Sequence, residues 1–260
     1  MRLKNVLWIL LVNSVFANAV NLLFLAKWTQ TIWQDWHHAI VLGLVVYGVQ
    51  SAMLYRLCEP FRNLLPFRQV ISFRSLAVGL AVAVGIWLVA QGAAVGLNQS
   101  PVTAPSNEKL FRFLVVFVFN TVIGAFLEEF VFRFLPVEYG RQAGLGKPQF
   151  VLLLLGVTAW FAVTHLSAYL FRDQLSVERI LPALWNPFGM GILMTLVYWG
   201  TKNLYFITIL HAFGNNGIYW VETPYPFITV LTATALWAAY RQVAGGVRSN
   251  RKSNPVTETT

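Results

Sequence analysis

Apolar runs of about 20 residues follow one another along nearly the whole chain, the length a helix needs to cross a bilayer. Of the 260 residues 57% are hydrophobic and only 11% charged, whereas a soluble domain carries about 25% charged residues. In lipid the backbone must satisfy its own hydrogen bonds, which leaves helices or closed barrels. The alternating pattern of a membrane barrel is absent. The expected fold class is therefore an all-α polytopic membrane protein, a multi-pass protein of the cell membrane if the source is prokaryotic.

Eight spans are predicted. The first follows the basic start Met1-Arg2-Leu3-Lys4 and runs to about Ala26. Ala17-Asn18-Ala19 resembles a cleavage site that would make residues 1–19 a signal peptide, but the apolar run continues past it, and an uncleaved helix is the favoured reading. Asn13, Asn18 and Asn21 lie along one side of this helix and are expected to bond to neighbouring helices. A Trp-rich interfacial loop, Lys27 to His37, precedes a second span from about His38 to Tyr55. The third covers about Leu76 to Leu97 and includes Gly92-Ala93-Ala94-Val95-Gly96, a pattern expected to mark close packing within the chain. The fourth lies at Leu110 to Leu135 and the fifth at about Gln149 to Ala168. An external amphipathic loop is expected over Tyr169 to Leu184, then spans at about Trp185 to Tyr198, Leu204 to Trp220 and Pro226 to Tyr240.

Arg56, Arg62, Arg68 and Arg74, then Arg141 and Lys147, then Lys202, then the tail arginines occupy alternate connections. By the positive-inside rule both termini are cytoplasmic. The net charge of +9 is spread over loops and tail rather than forming a stripe with interleaved aromatics, which argues against nucleic acid as a partner. Cys58 is the only cysteine, so disulfides and cysteine zinc sites within the chain are excluded.

Against this apolar background, Leu127-Glu128-Glu129-Phe130-Val131-Phe132-Arg133 stands out. Each acid at such a depth costs about 2.5–3.5 kcal/mol to insert. On a helix Glu129 and Arg133 share a face and can pair, whereas Glu128 points about 100° away, free to face a cavity. Glu128 is thus a candidate general base. His165, four residues after Phe161, and His211, four before Asn215, also fall inside apolar runs. His37 and His38 sit beside Trp36 and read as interfacial. Helix rise puts Glu128 roughly 18 Å, His165 roughly 25 Å and His211 roughly 10 Å from the turns on the same side. They can meet near mid-depth with tilt, provided the fourth helix continues through Pro136.

Several membrane-protease chemistries are excluded. There is no His-Glu-x-x-His helix. The only aspartates, Asp35 and Asp173, lie in loops, and no span serine has the glycine context of a rhomboid nucleophile. What remains is Glu128-Glu129-x-x-x-Arg133, Phe161-x-x-x-His165 and His211-x-x-x-Asn215, in that order on three spans. The pattern resembles the CPBP family of CAAX prenyl endopeptidases of the Ras-converting type, with bacterial homologues linked to bacteriocin processing and immunity. The resemblance covers roughly Phe111 to Trp220. Phe134 stands where that family often has glycine.

The resemblance implies an intramembrane endopeptidase acting on a membrane-embedded or lipidated peptide. It implies that Glu128 and His165 activate water, that His211 and Asn215 stabilise the oxyanion, and that Glu129, Arg133 and Phe161 support them. It divides the chain into N-terminal spans at 1–109, a catalytic core at 110–242 and a polar tail at 243–260, expected to be disordered. Glu128, His165 and His211 could bind zinc, and a metal-free glutamate mechanism needs the same residues. Two other readings compete. A proton-coupled transporter predicts broken helices or inverted repeats, which are not evident in the sequence. A non-proteolytic immunity or scaffold protein of the same family predicts loss of a motif residue, and none is lost.

Overall fold

The computed structural model describes residues 2–23, 35–67, 71–98 and 106–215, with 231–232, 234–235 and 237–238 beyond them. All regular structure among the described residues is helical. In chain order the helices are α1 (Leu3–Leu23), α2 (Trp36–Cys58), α3 (Phe73–Asn98), α4 (Asn107–Val116), α5 (Val122–Glu129), α6 (Leu135–Gln142), α7 (Lys147–Thr164), α8 (Val177–Thr201) and α9 (Leu204–Asn215).

Six helices are long and apolar enough to cross a membrane, and α9 is a shorter apolar helix. The protein is thus an integral multi-pass membrane protein. Val15, Val41, Val89, Leu152 and Leu181 are exposed on the outside, whereas Asn13, Gln50, Gln91, Glu129 and Arg133 are buried within. That inversion is expected where the solvent is lipid. The expected eighth span, the 243–260 tail and most of the Trp-rich loop fall outside the described residues. Within 231–238 the described positions are helical, and Leu231, Ala235 and Ala238 are buried.

The fourth span is one rod, Leu110–Gln142, built from α4, α5 and α6. Two π-helical turns join them, Phe117–Thr121 and Phe130–Phe134, where the Val122 N–H reaches back to Phe117 O and the Leu135 N–H to Phe130 O. Each wider turn re-aims the side chains around it, and such turns collect at functional sites. Pro136 does not end the rod, because it sits in the first turn of α6, where its missing N–H costs little.

The expected loop over Tyr169 to Leu184 is a correction. Ala168–Arg172 forms a third π-helical turn and α8 already begins at Val177, so only a short link separates them. The mixed charge of this stretch, with Arg172, Asp173, Glu178 and Arg179, underlies the loop expectation, yet Glu178 and Arg179 lie in the first turn of α8, which also contains Pro182 and Pro187. Pro187 has no N–H to give the Ala183 carbonyl, and the Tyr169 hydroxyl donates to that oxygen instead at 3.3 Å.

Two junctions place the later helices. Lys202, at φ 53°, closes α8 in a left-handed conformation. Asn203 then caps α9, its Oδ1 accepting from the Phe206 N–H at 3.1 Å while its Nδ2 donates to Ser75 O of α3 at 2.9 Å. This fixes the start of α9 against α3, two turns before His211. Polar side chains tie α1 to its neighbours: Gln50 donates to Asn13 at 2.8 Å, Asn21 to Ser167 at 2.9 Å and Trp160 to Ser14 at 2.9 Å. Asn13 and Asn21 thus bond across helices as expected, whereas Asn18 donates to Ser14 O of its own helix.

Among the described residues nothing packs closely on Gly92 or Gly96. A Cβ at either would meet nothing within 4 Å among the described residues. The tight α3–α9 approach falls at Gly79, where a Cβ would lie 2.8 Å from the Phe206 backbone nitrogen. Backbone cannot swing aside as a side chain can. Gly79→Val is therefore expected to destabilise the protein by about 1–3 kcal/mol, whereas Gly85→Ala, on an open face, should be neutral or stabilising. Denaturant titration in mixed micelles reads both, and equal midpoints for the two variants would contradict this packing.

Candidate active site

A cavity of about 740 Å³ lies among α1, α2, α5, α7, α8 and α9. Glu128, Glu129, Arg133, Phe161, His165, His211 and Asn215 all line it. The three sequence motifs, spread over more than 80 residues, share one chamber. The rod through Pro136 supplies the depth that the helix-rise argument required.

The carboxylate pair divides as the helical geometry predicts. Glu129 is fully buried and its Oε2 lies 3.4 Å from Arg133 Nε, whose side chain is 2% exposed. The Glu128 side chain is 38% exposed, and its Oε2 has no hydrogen-bond partner. One acid is held fully inside the protein while its neighbour in sequence is half-buried on the cavity wall, with Oε2 buried and without a hydrogen-bond partner.

One contact has no counterpart in the sequence argument. Glu129 Oε1 is 2.6 Å from His211 Nδ1, a side-chain hydrogen bond across 82 residues of chain. It leaves His211 Nε2 directed toward Glu128, 3.8 Å from Oε2. Glu129 is therefore more than the partner of Arg133, because it also orients His211. No spacing rule could find this pair, since only the docking of α9 on α5 brings it together.

His165 follows the last residue of α7, and its N–H bonds to Ala162 O at 3.1 Å. Its Nδ1 lies 2.9 Å from Phe161 O, so the ring is held by its own helix, with Nδ1 engaged and Nε2 free for chemistry. The Phe161 ring meets His165 edge-on at 4.7 Å and His211 at 6.5 Å between centroids. The Arg133 guanidinium carbon lies 3.9 Å from the Phe161 ring centroid. Arg133 thus binds the Glu129–His211 pair on one side and braces the aromatic next to His165 on the other. Asn215 ends α9 and is exposed on the cavity wall. His37 and His38 stand apart beside Asp35, whose carboxylate caps α2.

A resident metal would need several ligands converging on one point. Among the described residues no three His, Cys, Asp or Glu side chains are grouped to hold a metal ion. Glu128, His165 and His211 share the cavity without forming such a centre. The arrangement instead offers a carboxylate acceptor facing two imidazoles whose Nδ1 atoms are already held.

The burial contrast gives a stability test. Glu129→Ala strips the buried Arg133 of its counter-charge and is expected to cost about 3–5 kcal/mol, whereas Glu128→Gln should leave the unfolding midpoint near wild type. Similar losses for the two variants would contradict the division.

Residues 110–217 match the family model described as Rce1-like, type II CAAX prenyl endopeptidase. No curated protein and no solved structure gives a significant match to the chain. The matched segment begins with the rod and ends just beyond Asn215, so it spans all three motifs and the residues that bind them together. Over this segment the chain is similar to the Rce1-like type II CAAX prenyl endopeptidases.

Proposed function

We propose that the protein is an intramembrane endopeptidase that hydrolyses a peptide bond of a membrane-embedded or lipidated substrate, using water activated by Glu128. The observation that carries this reading is the joint presence of a half-buried Glu128 and two fixed histidines on one cavity, beside a fully buried Glu129. Glu128 accepts a proton from water as the water oxygen attacks the scissile carbonyl carbon. His165 holds that water, and His211 and Asn215 donate to the oxyanion that forms. Collapse of the tetrahedral species breaks the C–N bond, and the proton taken by Glu128 passes to the departing amine nitrogen. Glu129 and Arg133 take no part in bond-making and fix His211 and Phe161.

In this reading side chains of this chain supply the base and the donors, and a metal-free route is part of the proposal. The apolar exterior and the Rce1-like segment together support a substrate delivered within the bilayer.

The purified protein in nanodiscs is expected to cleave internally quenched peptides carrying a C-terminal CAAX sequence, farnesylated or plain. Glu128→Gln and His165→Ala should each lower kcat by about 100-fold or more, the scale of losing a general base or its partner. Equal cleavage by wild type and Glu128→Gln would overturn the protease reading. Dialysis against a chelator should leave the rate within twofold, and stoichiometric zinc together with loss of activity on its removal would contradict the metal-free route.

A further inference from the structure

The wall facing Glu128 comes from α2, a helix outside the matched segment 110–217. Tyr47 lies on that wall. A Cβ at Gly124 would lie 2.7 Å from the Tyr47 hydroxyl oxygen and 2.9 Å from Cζ, so the end of the phenol rests directly on the α5 backbone at this point. Gly124 and Glu128 are four residues apart, one turn along the same face of α5. Any larger residue at 124 would push the hydroxyl off that face. The Tyr47 side chain and Glu128 both line the cavity, one helical turn apart along α5.

The cavity carries other donors, Thr164, Tyr169, Arg172 and Asn186 among them, and Tyr47 is singled out because the Gly124 contact fixes its hydroxyl one helical turn from Glu128. His211 and Asn215 approach from α9, and the α5 carboxylates can only accept when ionised. Tyr47 supplies a donor from the opposite side, on a stiff side chain whose position is set by the Gly124 contact. Preorganised donors of this kind are the largest single contribution to many hydrolytic rates.

We propose that Tyr47 is a catalytic residue, its hydroxyl donating a hydrogen bond to the oxyanion of the tetrahedral intermediate beside Glu128. The proposal rests on the endopeptidase reading given above and adds a donor from the N-terminal half of the chain. It makes α2 part of the active site rather than a passive wall, so the segment carrying the three motifs is incomplete without it.

The test uses the full-length protein in nanodiscs with the quenched CAAX peptides. Tyr47→Phe keeps the ring and removes only the hydroxyl. It is expected to lower kcat at least tenfold, toward the roughly 100-fold cost of a lost oxyanion donor, with KM within threefold. A smaller loss, or one carried by KM, would overturn the proposal. Should Tyr47→Phe fail to fold, Gly124→Ala displaces the hydroxyl without deleting it and is expected to lower kcat in the same way, an unchanged kcat overturning the proposal. If wild type cleaves none of the peptides, or Glu128→Gln matches it, the endopeptidase reading fails first. An active wild type with a fully active Tyr47→Phe removes Tyr47 alone.

Discussion

A carboxylate with no exposed surface, inside a membrane protein, must be neutralised by what surrounds it. Glu129 meets this demand twice, with Arg133 four residues along its own helix and with His211 on a helix 82 residues away. The first contact is local and comes with the helix. The second requires α9 to dock on α5 in a single register, because a shift of one turn would carry His211 past the carboxylate. The buried charge therefore specifies how the helices meet, and that meeting aims the other imidazole nitrogen at Glu128.

The same tie extends to His165. Arg133 sits against the Phe161 ring, and Phe161 supplies the carbonyl that holds the His165 ring. Glu129, Arg133 and Phe161 thus form a bridge from one histidine to the other behind the cavity surface. Such a scaffold holds the two imidazoles in a fixed geometry while both still line the cavity. The N-terminal helices complete the chamber. Asn13 on Gln50 and Asn21 on Ser167 fasten α1 to α2 and to the turn after α7, closing the side that the catalytic motifs leave open.

Much of this was legible in the residues. The spans, the i,i+4 pairing of Glu129 with Arg133 and the contrast between adjacent glutamates follow from helical periodicity and the cost of charge in lipid. The contact of Phe161 with His165 follows from the same spacing. The Glu129–His211 bond does not, since it depends on which faces of two helices meet. Nor do the three π-helical turns, which local sequence scarcely signals. The reach of α8 was hidden by the mixed charge of Tyr169 to Leu184, and Pro187 is carried inside the helix because the Tyr169 hydroxyl takes up the freed Ala183 carbonyl. At Gly92 and Gly96 no described residue packs closely. Small residues permit close approach without requiring it, and the tight contact formed at Gly79.

The central claim is that Glu129 and His211 are energetically one unit. A double-mutant cycle on unfolding free energy tests it most directly, with Glu129→Gln, His211→Ala and the double variant measured in the same micelles. The account predicts a coupling of about 1–3 kcal/mol, the range for residues sharing a buried hydrogen bond. Additivity to within about 0.5 kcal/mol would mean that the two side chains do not hold each other, and that the site is assembled by some other contact.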